Sequence, residues 1–475
     1  MATQPTQPTQ PTQPTEQYDV IIVGAGQSGG PLATALGAAG RKTAIIEREH
    51  VGGTCINEGC TPTKTMVASA RVAYLARRGA DYGVRTGPIG IEMTTVRKRK
   101  RDIVESFRSG SERGITQSDN VYLLMGEASF VDAHTLDVTF PSDAPQRITA
   151  PIIILNTGAR PSAPDIPGLA SVPTLNSTSI MELDSVPEHL IALGGGYIAL
   201  EFGQMFRRFG AQVTVIERGS QLLAREDDDI AAEVATILRE DGVEVLLQTK
   251  TLRVEPAPDG KIQVIVVGPD GERAVVGSHL LVATGRTPNT DRLNVAAAGL
   301  ATDARGFVRV NERLETNVPN IYALGDVNGG PAFTHISYDD YRILRANLLD
   351  GGNRTTTDRL VPYTVYMDPQ LGCVGLTERQ AQAAGKRVRV AKMPMSYVAR
   401  ALETDEARGL MKAVVDAATG QILGCSILGA EGGELMSMIE LAMMGKLPYM
   451  ALRDAVFAHP TFAEAFNNLF ATLDQ

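Results

Sequence analysis

Tyr18-Asp19-Val20-Ile21-Ile22-Val23 runs straight into Gly24-Ala25-Gly26-Gln27-Ser28-Gly29. An apolar run of this length, closed by glycines, predicts a buried β-strand ending in a tight turn. A helix of small residues follows through Ala33, Ala35 and Ala38. Residues 42–46, Lys-Thr-Ala-Ile-Ile, read as a second strand that ends at Glu47. The same order recurs: strand His189-Leu190-Ile191-Ala192-Leu193, turn Gly194-Gly195-Gly196-Tyr197-Ile198-Ala199, a helix, strand residues 212–216, then Glu217. From the first glycine to the acid is 23 residues in both copies (24 to 47 and 194 to 217).

A single G-x-G-x-x-G is weak evidence. Two copies in full strand–helix–strand context, each with its acid at equal spacing, predict two dinucleotide sites. The first glycine permits the turn, and the second lets the backbone approach a pyrophosphate. The third position, Gly29 or Ala199, must be small so that helix and strand can pack. The helix N-terminus then faces the phosphates with free N–H groups. Glu47 and Glu217 stand where a carboxylate can accept hydrogen bonds from a ribose diol. Two ordinary glycine turns would not predict both acids.

Working outward, residues 151–158 form a strand ending Asn156-Thr157-Gly158, and residues 280–286 repeat that ending at Thr284-Gly285-Arg286. Such junctions look like crossings between domains. Residues 320–326 make another strand, ending Gly325-Asp326. The last ~125 residues carry no glycine fingerprint and read as a separate α+β domain. A chain of 475 residues exceeds what one core supports, so several domains are expected.

The net charge of −9 argues against a nucleic-acid partner. The one basic run, Arg97-Lys98-Arg99-Lys100-Arg101, reads as a solvated helix face, with a local attractor for anions as the lesser alternative. No apolar run reaches the length of a membrane span. The Thr-Gln-Pro repeats within residues 1–17 have no secretory pattern and predict a disordered or polyproline-like tail, so a cytoplasmic location is the default expectation.

Of four cysteines, Cys373 and Cys425 are expected to act as small buried hydrophobes. Cys55 and Cys60 lie in Gly52-Gly53-Thr54-Cys55-Ile56-Asn57-Glu58-Gly59-Cys60-Thr61-Pro62-Thr63-Lys64. A helix starting near Cys55 would bring the thiols close after modest distortion. The helix N-terminus and Lys64 would both favour thiolate. A structural disulfide is out of place in a chain with so few cysteines. A zinc half-site would need two more soft ligands in a matching motif, and none appears, so no metal site is expected. The redox-active pair is the preferred reading.

Two dinucleotide folds, C-x4-C-x-P-x-K, Ala323-Leu324-Gly325-Asp326 and a late His459-Pro460-Thr461 together resemble the class I pyridine nucleotide–disulfide oxidoreductases. That family includes glutathione reductase, dihydrolipoamide dehydrogenase and mercuric reductase. The likeness runs from about Tyr18 to the C-terminus. Within the family the chain is similar to the mercuric-reductase-like branch, which includes the flavoprotein copper reductase of reactive-chlorine resistance. Residues 333–342, residues 361–366 and His459-Pro460-Thr461-Phe462-Ala463-Glu464 carry that finer likeness.

The resemblance implies an α/β fold with FAD and NAD(P) Rossmann-like domains and a C-terminal α+β dimerisation domain. The expected boundaries are 18–158 with 286–350 for FAD, 159–285 for NAD(P) and 351–475 for the interface. Cys60 would be the thiol against the flavin and Cys55 the one that meets substrate. Lys64 would lie near the flavin and pair with Glu201, while Tyr197 would gate the nicotinamide pocket. The implied FAD-binding set is Gly24, Gly26, Gly29, Glu47, Gly53, Thr54, Lys64, Ala128, Thr157, Gly158, Gly325, Asp326, Ala332 and His335. The implied NAD(P) set is Gly194, Gly196, Tyr197, Glu201, Glu217 and Gly285.

His459 and Glu464 match the family's acid–base dyad, which serves the partner subunit's cysteines and so implies a homodimer. Residues 435–444 are Met-rich and apolar, consistent with an interface helix or with a plain core helix. Glu217 favours NADH, while Arg218 and Arg225 keep NADPH open. A disulfide, lipoamide, Hg(II) and Cu(II) are all admissible acceptors. The chain ends Leu473-Asp474-Gln475 without the C-terminal cysteine pair usual in mercuric reductases, which puts mercury in doubt. Phe457 stands where dihydrolipoamide dehydrogenases often have a second histidine. A low-turnover flavin-binding redox sensor or scaffold is the alternative of another class.

Overall fold

Val20–Val23 is apolar throughout and buried on both faces, the pattern of a strand covered by helices. The computed structural model describes residues 15–474 and places this strand at the centre of a five-stranded sheet. Its order is Ile321–Ala323, Ile152–Leu155, Val20–Val23, Thr43–Glu47, Val121–Met125, with every neighbouring pair parallel. The helix Gly29–Ala38 crosses from Val20–Val23 to Thr43–Glu47.

The Thr-Gln-Pro repeats lie outside the described residues. The tail, expected to run to Gln17, stops short of that. Glu16–Gln17 is a short strand paired in parallel with Gln146–Thr149. The Glu16 carboxylate accepts hydrogen bonds from Lys42 Nζ at 3.0 Å and Gln146 Nε2 at 2.6 Å. Those two partners, distant in sequence, supply the anchoring that composition could not reveal.

The described residues form two compact units. The first holds the sheet above and comprises the chain up to Asn57, Val104–Arg160 and Thr287–Thr357. The second comprises Glu58–Ile103, Pro161–Arg286 and the chain from Asp358 onward. Two of the crossings, after Arg160 and after Arg286, fall within three residues of Thr157-Gly158 and Thr284-Gly285.

In the second unit the repeated pattern forms a parallel sheet in the order Glu244–Leu246, Gln212–Ile216, His189–Leu193, His279–Val282. The helix Tyr197–Phe209 packs against the helix Cys60–Arg77 through a shared core that includes Met66, Ala70, Phe202, Met205 and Phe206. That packing fixes which side chains of the two helices can meet.

The C-terminal segment forms a five-stranded antiparallel sheet: Tyr363–Val365, Gln370–Gly375, Ile422–Gly429, Leu410–Asp416, Val388–Pro394. The helix Gly432–Met444 lies on it. Leu435, Met436, Ile439 and Ala442 are buried, while Met438, Leu441 and Met444 stay exposed. Residues 435–444 thus have both a core face and an uncovered apolar face.

The basic run departs from the expected solvated face. Lys100 is only 3% exposed and pairs with the Glu182 carboxylate, 82 residues away. Arg97 Nη1 donates to Glu182 O at 2.6 Å and Arg101 Nε to Glu182 Oε2 at 3.0 Å. Arg99 Nη1 donates to Thr65 O at 2.8 Å. Four of the five cations are therefore spent on holding the helix Met93–Thr116 in place. Among the described residues, no helix is long and apolar enough to cross a membrane.

Candidate active site

In the first unit the strand ends converge on Asn156, a residue not singled out from sequence. Its Oδ1 accepts from Gly29 N at 2.9 Å, and its Nδ2 donates to Leu324 O at 3.0 Å. Gly24 has φ +105°, and a Cβ there would lie 2.2 Å from Asn156 O. Only glycine fits that turn. Glu47 closes it from the other side, accepting from Ala25 N at 3.0 Å and Glu49 N at 2.9 Å.

Gly26 and Gly53 approach one another closely: a Cβ on Gly53 would be 2.8 Å from Gly26 Cα. Beside them a cleft of about 380 Å³ is lined by Ala25, Gly26, Gln27, Gly30, Val51 and Gly52. Thr157 Oγ1 is buried and meets no hydrogen-bonding atom among the described residues. A buried hydroxyl in that condition suits a bound polar group. Backbone glycines, a helix N-terminus and an unsatisfied hydroxyl together fit a dinucleotide phosphate.

Gly158 follows Thr157 with φ +68°. Gly325 and Asp326 open the turn Gly325–Asn328, where Gly325 N donates to Asp340 Oδ2 at 2.8 Å. Ala332 precedes the helix Thr334–Leu349, and His335 in its first turn stacks on Phe333 with ring centres 5.5 Å apart. Ala128 is buried in the strand Glu127–Asp132.

The cysteine segment differs from the single helix expected near Cys55. Thr54 and Cys55 lie in a short helix, Gly53–Asn57, braced by Asn57 Nδ2 donating to Val51 O at 3.0 Å and Gly53 O at 2.9 Å. Gly59, at φ −128° and ψ −113°, interrupts the helical path, and a new helix begins at Cys60. Cys55 is half-buried in the first unit; Cys60 is exposed and belongs to the second. As the first helical residue, Cys60 sits where free N–H groups and the positive end of the helix dipole favour thiolate.

Lys64 follows Cys60 by one turn. Its Nζ is 2.7 Å from Glu201 Oε2. The other oxygen of Glu201 accepts from Tyr366 N at 2.8 Å, and Lys64 Nζ lies 4.9 Å from the centre of the Tyr366 ring. Burial works against the Lys64 charge, but the Glu201 carboxylate outweighs it and holds the ammonium above its usual pKa. The same face of the helix Tyr197–Phe209 continues the seam. Gln204 Oε1 accepts from Asp368 N at 2.7 Å, Gln204 Nε2 donates to Asp368 O at 2.8 Å, and Arg208 pairs with the Asp368 carboxylate. Sequence reasoning found Lys64 and Glu201. It missed the roles of Tyr366, Gln204, Arg208 and Asp368: Gln204 and Arg208 share the i, i+3, i+7 spacing with Glu201, and Tyr366 stood only at the end of the family-like stretch 361–366.

The second glycine turn mirrors the first. Gly194 has φ +108°, and a Cβ would lie 2.6 Å from Ala283 O. Gly196 faces open space, and Tyr197, 37% exposed, opens the helix. Glu217 accepts from Gly195 N at 2.5 Å and Gly219 N at 2.6 Å. Gly285, at φ +147°, accepts from Ser162 N at 3.0 Å. His459 and Glu464 do meet: Nδ1 is 2.9 Å from Oε2, with the imidazole largely exposed.

The pyridine nucleotide-disulphide oxidoreductase family model matches residues 18–340, and that family's dimerisation domain matches residues 361–470. Over 459 residues the chain is 39% identical to the probable pyridine nucleotide-disulfide oxidoreductase RclA of Escherichia coli, covering 96% of this chain and 99% of the relative. It is 34% identical over 474 residues to a mercuric reductase of Staphylococcus aureus, covering 100% of this chain and 85% of the relative. The solved Cu(II) complex of the HOCl-induced flavoprotein disulfide reductase RclA from Escherichia coli superposes with a TM-score of 0.88 at 38% identity, covering 97% of this chain and all of that one.

Proposed function

Because the chain belongs to the pyridine nucleotide-disulphide oxidoreductase family, we propose that it passes electrons from NAD(P)H through FAD to the pair Cys55/Cys60, and on to a disulfide or a thiol-binding metal ion. Members of the family depend on FAD and use NAD(P)H, so the chain is a flavoprotein oxidoreductase with a C-terminal dimerisation domain. The observation that carries the reading is Cys60 at a helix start, one turn from a lysine that Glu201 and Tyr366 hold in place.

Residues 18–158 and 286–350 are assigned to FAD, 159–285 to NAD(P) and 351–475 to the interface. Gly24, Gly26, Gly29 and Gly53 would admit the FAD phosphates, Thr157 would give its hydroxyl, and Glu47 would hold a ribose. Thr54, Lys64, Ala128, Gly158, Gly325, Asp326, Ala332 and His335 complete that set. Bound FAD supplies a two-electron carrier that accepts hydride and delivers the electrons to a disulfide.

Gly194, Gly196 and Gly285 admit the second nucleotide, and Tyr197 covers its docking face. Glu217 would repel a 2′-phosphate, which favours NADH. Once the pair is reduced, the Cys55 thiolate attacks one sulfur of a substrate disulfide, forming a mixed disulfide and expelling a thiolate. His459, oriented by Glu464, gives that thiolate its proton. The Cys60 thiolate then attacks Cys55 Sγ, expelling the second substrate half as a thiolate, which takes its proton from water, and restoring the Cys55–Cys60 disulfide. In the family's pattern the dyad serves the cysteines of a second copy.

The mechanism is tested by anaerobic titration with NADH. A long-wavelength thiolate–flavin absorbance is expected in the wild type and is expected to vanish, with turnover, in Cys60→Ser. Bleaching without that band, unchanged in Cys60→Ser, would point instead to a low-turnover sensor. For the acceptor, the solved relative in complex with Cu(II) supports a thiol-binding metal ion. A steady-state panel of Cu(II), Hg(II), small disulfides and lipoamide decides the point. A far higher kcat/KM for lipoamide would overturn this choice.

A further inference from the structure

The middle residue of the second glycine turn is gripped at both of its backbone groups. Gly195 N donates to Glu217, and Gly195 O accepts from Leu223 N at 2.9 Å. Leu223 lies on the segment that joins Glu217 to the helix Asp228–Glu240. Its φ is +46°, a left-handed conformation that a leucine seldom adopts, so neighbouring contacts must hold it there.

Glu226 supplies that hold. Its N–H donates to Leu223 O at 2.8 Å, closing the turn. Its side chain is buried, 3% exposed. The Tyr363 hydroxyl donates to one carboxyl oxygen, and Cys373 Sγ donates to the other at 3.4 Å. Both donors come from the C-terminal sheet, on the adjacent strands Tyr363–Val365 and Gln370–Gly375. Arg379 Nη2 adds hydrogen bonds to Ala224 O at 2.9 Å and Glu226 O at 3.2 Å.

A buried carboxyl costs stability unless it is fully hydrogen-bonded, and an apolar side chain of similar size would fill the space more cheaply. Glu226 is not among the residues assigned above to the thiol chemistry. We propose that Glu226 is a positioning residue for the NAD(P)H site: the C-terminal strands, through Tyr363 and Cys373, fix Glu226, Glu226 fixes Leu223, and Leu223 fixes the carbonyl of Gly195. The inference deepens the proposed function and rests on residues 194–197 receiving the hydride donor.

The test uses FAD-loaded enzyme with ferricyanide as acceptor, so that it does not depend on the natural substrate. Tyr363→Phe and Glu226→Gln are compared with Gly195→Val, whose Cβ would meet Glu217 Cγ at 2.8 Å and Leu222 Cδ2 at 2.9 Å. Losing one or two of these hydrogen bonds is expected to raise KM for NADH about three- to tenfold. The kcat should stay within about twofold and the flavin spectrum should not change, because uniform binding alone is weakened. A lowered melting temperature with unchanged KM would mark a merely structural role and overturn the proposal. Should Glu226→Gln fail to fold, Tyr363→Phe carries the test. If Gly195→Val raises KM and the other two do not, the relay falls while the nucleotide site stands. If Gly195→Val leaves KM unchanged, the turn does not hold the nucleotide and both readings fall.

Discussion

In the first glycine turn the third small position is Gly29; in the second it is Ala199. A methyl at Gly29 would lie 2.1 Å from the Gly24 carbonyl oxygen, whereas Ala199 keeps its methyl fully buried without displacing the turn. The helices that follow diverge further. Gly29–Ala38 carries no charged residue and buries Leu32, Ala33 and Leu36. Tyr197–Phe209 presents Glu201, Gln204 and Arg208 along one face, each tied to residues 366–368 or to Lys64. The same plan therefore serves two ends. The first copy is a close-fitting cradle made of backbone, suited to a cofactor that stays. In the second copy the helix carries a buried polar face, Glu201, Gln204 and Arg208, that holds Lys64 and residues 366–368 in place.

The reciprocal swap gives the sharpest way to break this contrast. Gly29→Ala is expected to purify nearly colourless, since the 2.1 Å clash lies between rigid backbone elements. A flavin-to-protein absorbance ratio equal to wild type would refute the cradle.

A smaller effect is expected from Asp368→Asn, which cuts the polar seam of the second copy. Removing one member of a buried ion pair costs about 3 kcal/mol, read as a lowered urea midpoint. Burial pushes the Asp368 carboxyl up, but Arg208 and Arg71 more than offset it and hold the group below the usual carboxylate range. Its contribution is therefore present at neutral pH and is lost as pH falls below about 4, through the lowered native value. The wild-type acid limb should flatten in the variant. An unchanged limb would show that the seam does not stabilise the second copy.

The smallest effect belongs to Ala199→Gly, which copies the first turn into the second. Helix propensity predicts a loss of about 1 kcal/mol, with KM for NADH unchanged. A marked change in KM would mean that the two turns are less alike than their hydrogen bonds suggest.

What the sequence disclosed follows from what is local. The strands Val20–Val23 and His189–Leu193, the turns after them and the acids at Glu47 and Glu217 are set by short-range pattern, and each was legible. The Lys64–Glu201 and His459–Glu464 pairs were reached through family likeness rather than spacing, since 137 residues separate the first two. The misread features share one cause. Lys100 looks like a surface cation until Glu182 arrives from 82 residues away, and Glu16 looks like part of a tail until Lys42 and Gln146 meet it. Glu226 had no local signal either, because the donors that explain its burial lie on strands more than 130 residues later. The helix break at Gly59 was marked locally, by Gly59 itself and by Pro62 in the first turn of the new helix, and those two signals were not read as a helix start.

The four cysteine sulfurs divide by depth in a way that bears on how the protein can be handled. Burial pushes the Cys425 thiol up to about 12 and Cys373 well above its ordinary value, and both are sealed in the core. Cys60, by contrast, is exposed, and Cys55 is half-buried. A maleimide dye added briefly to reduced enzyme therefore has two sulfurs to find rather than four. A fluorophore or mass tag would mark the reacting positions directly, with no need to engineer the other two cysteines away.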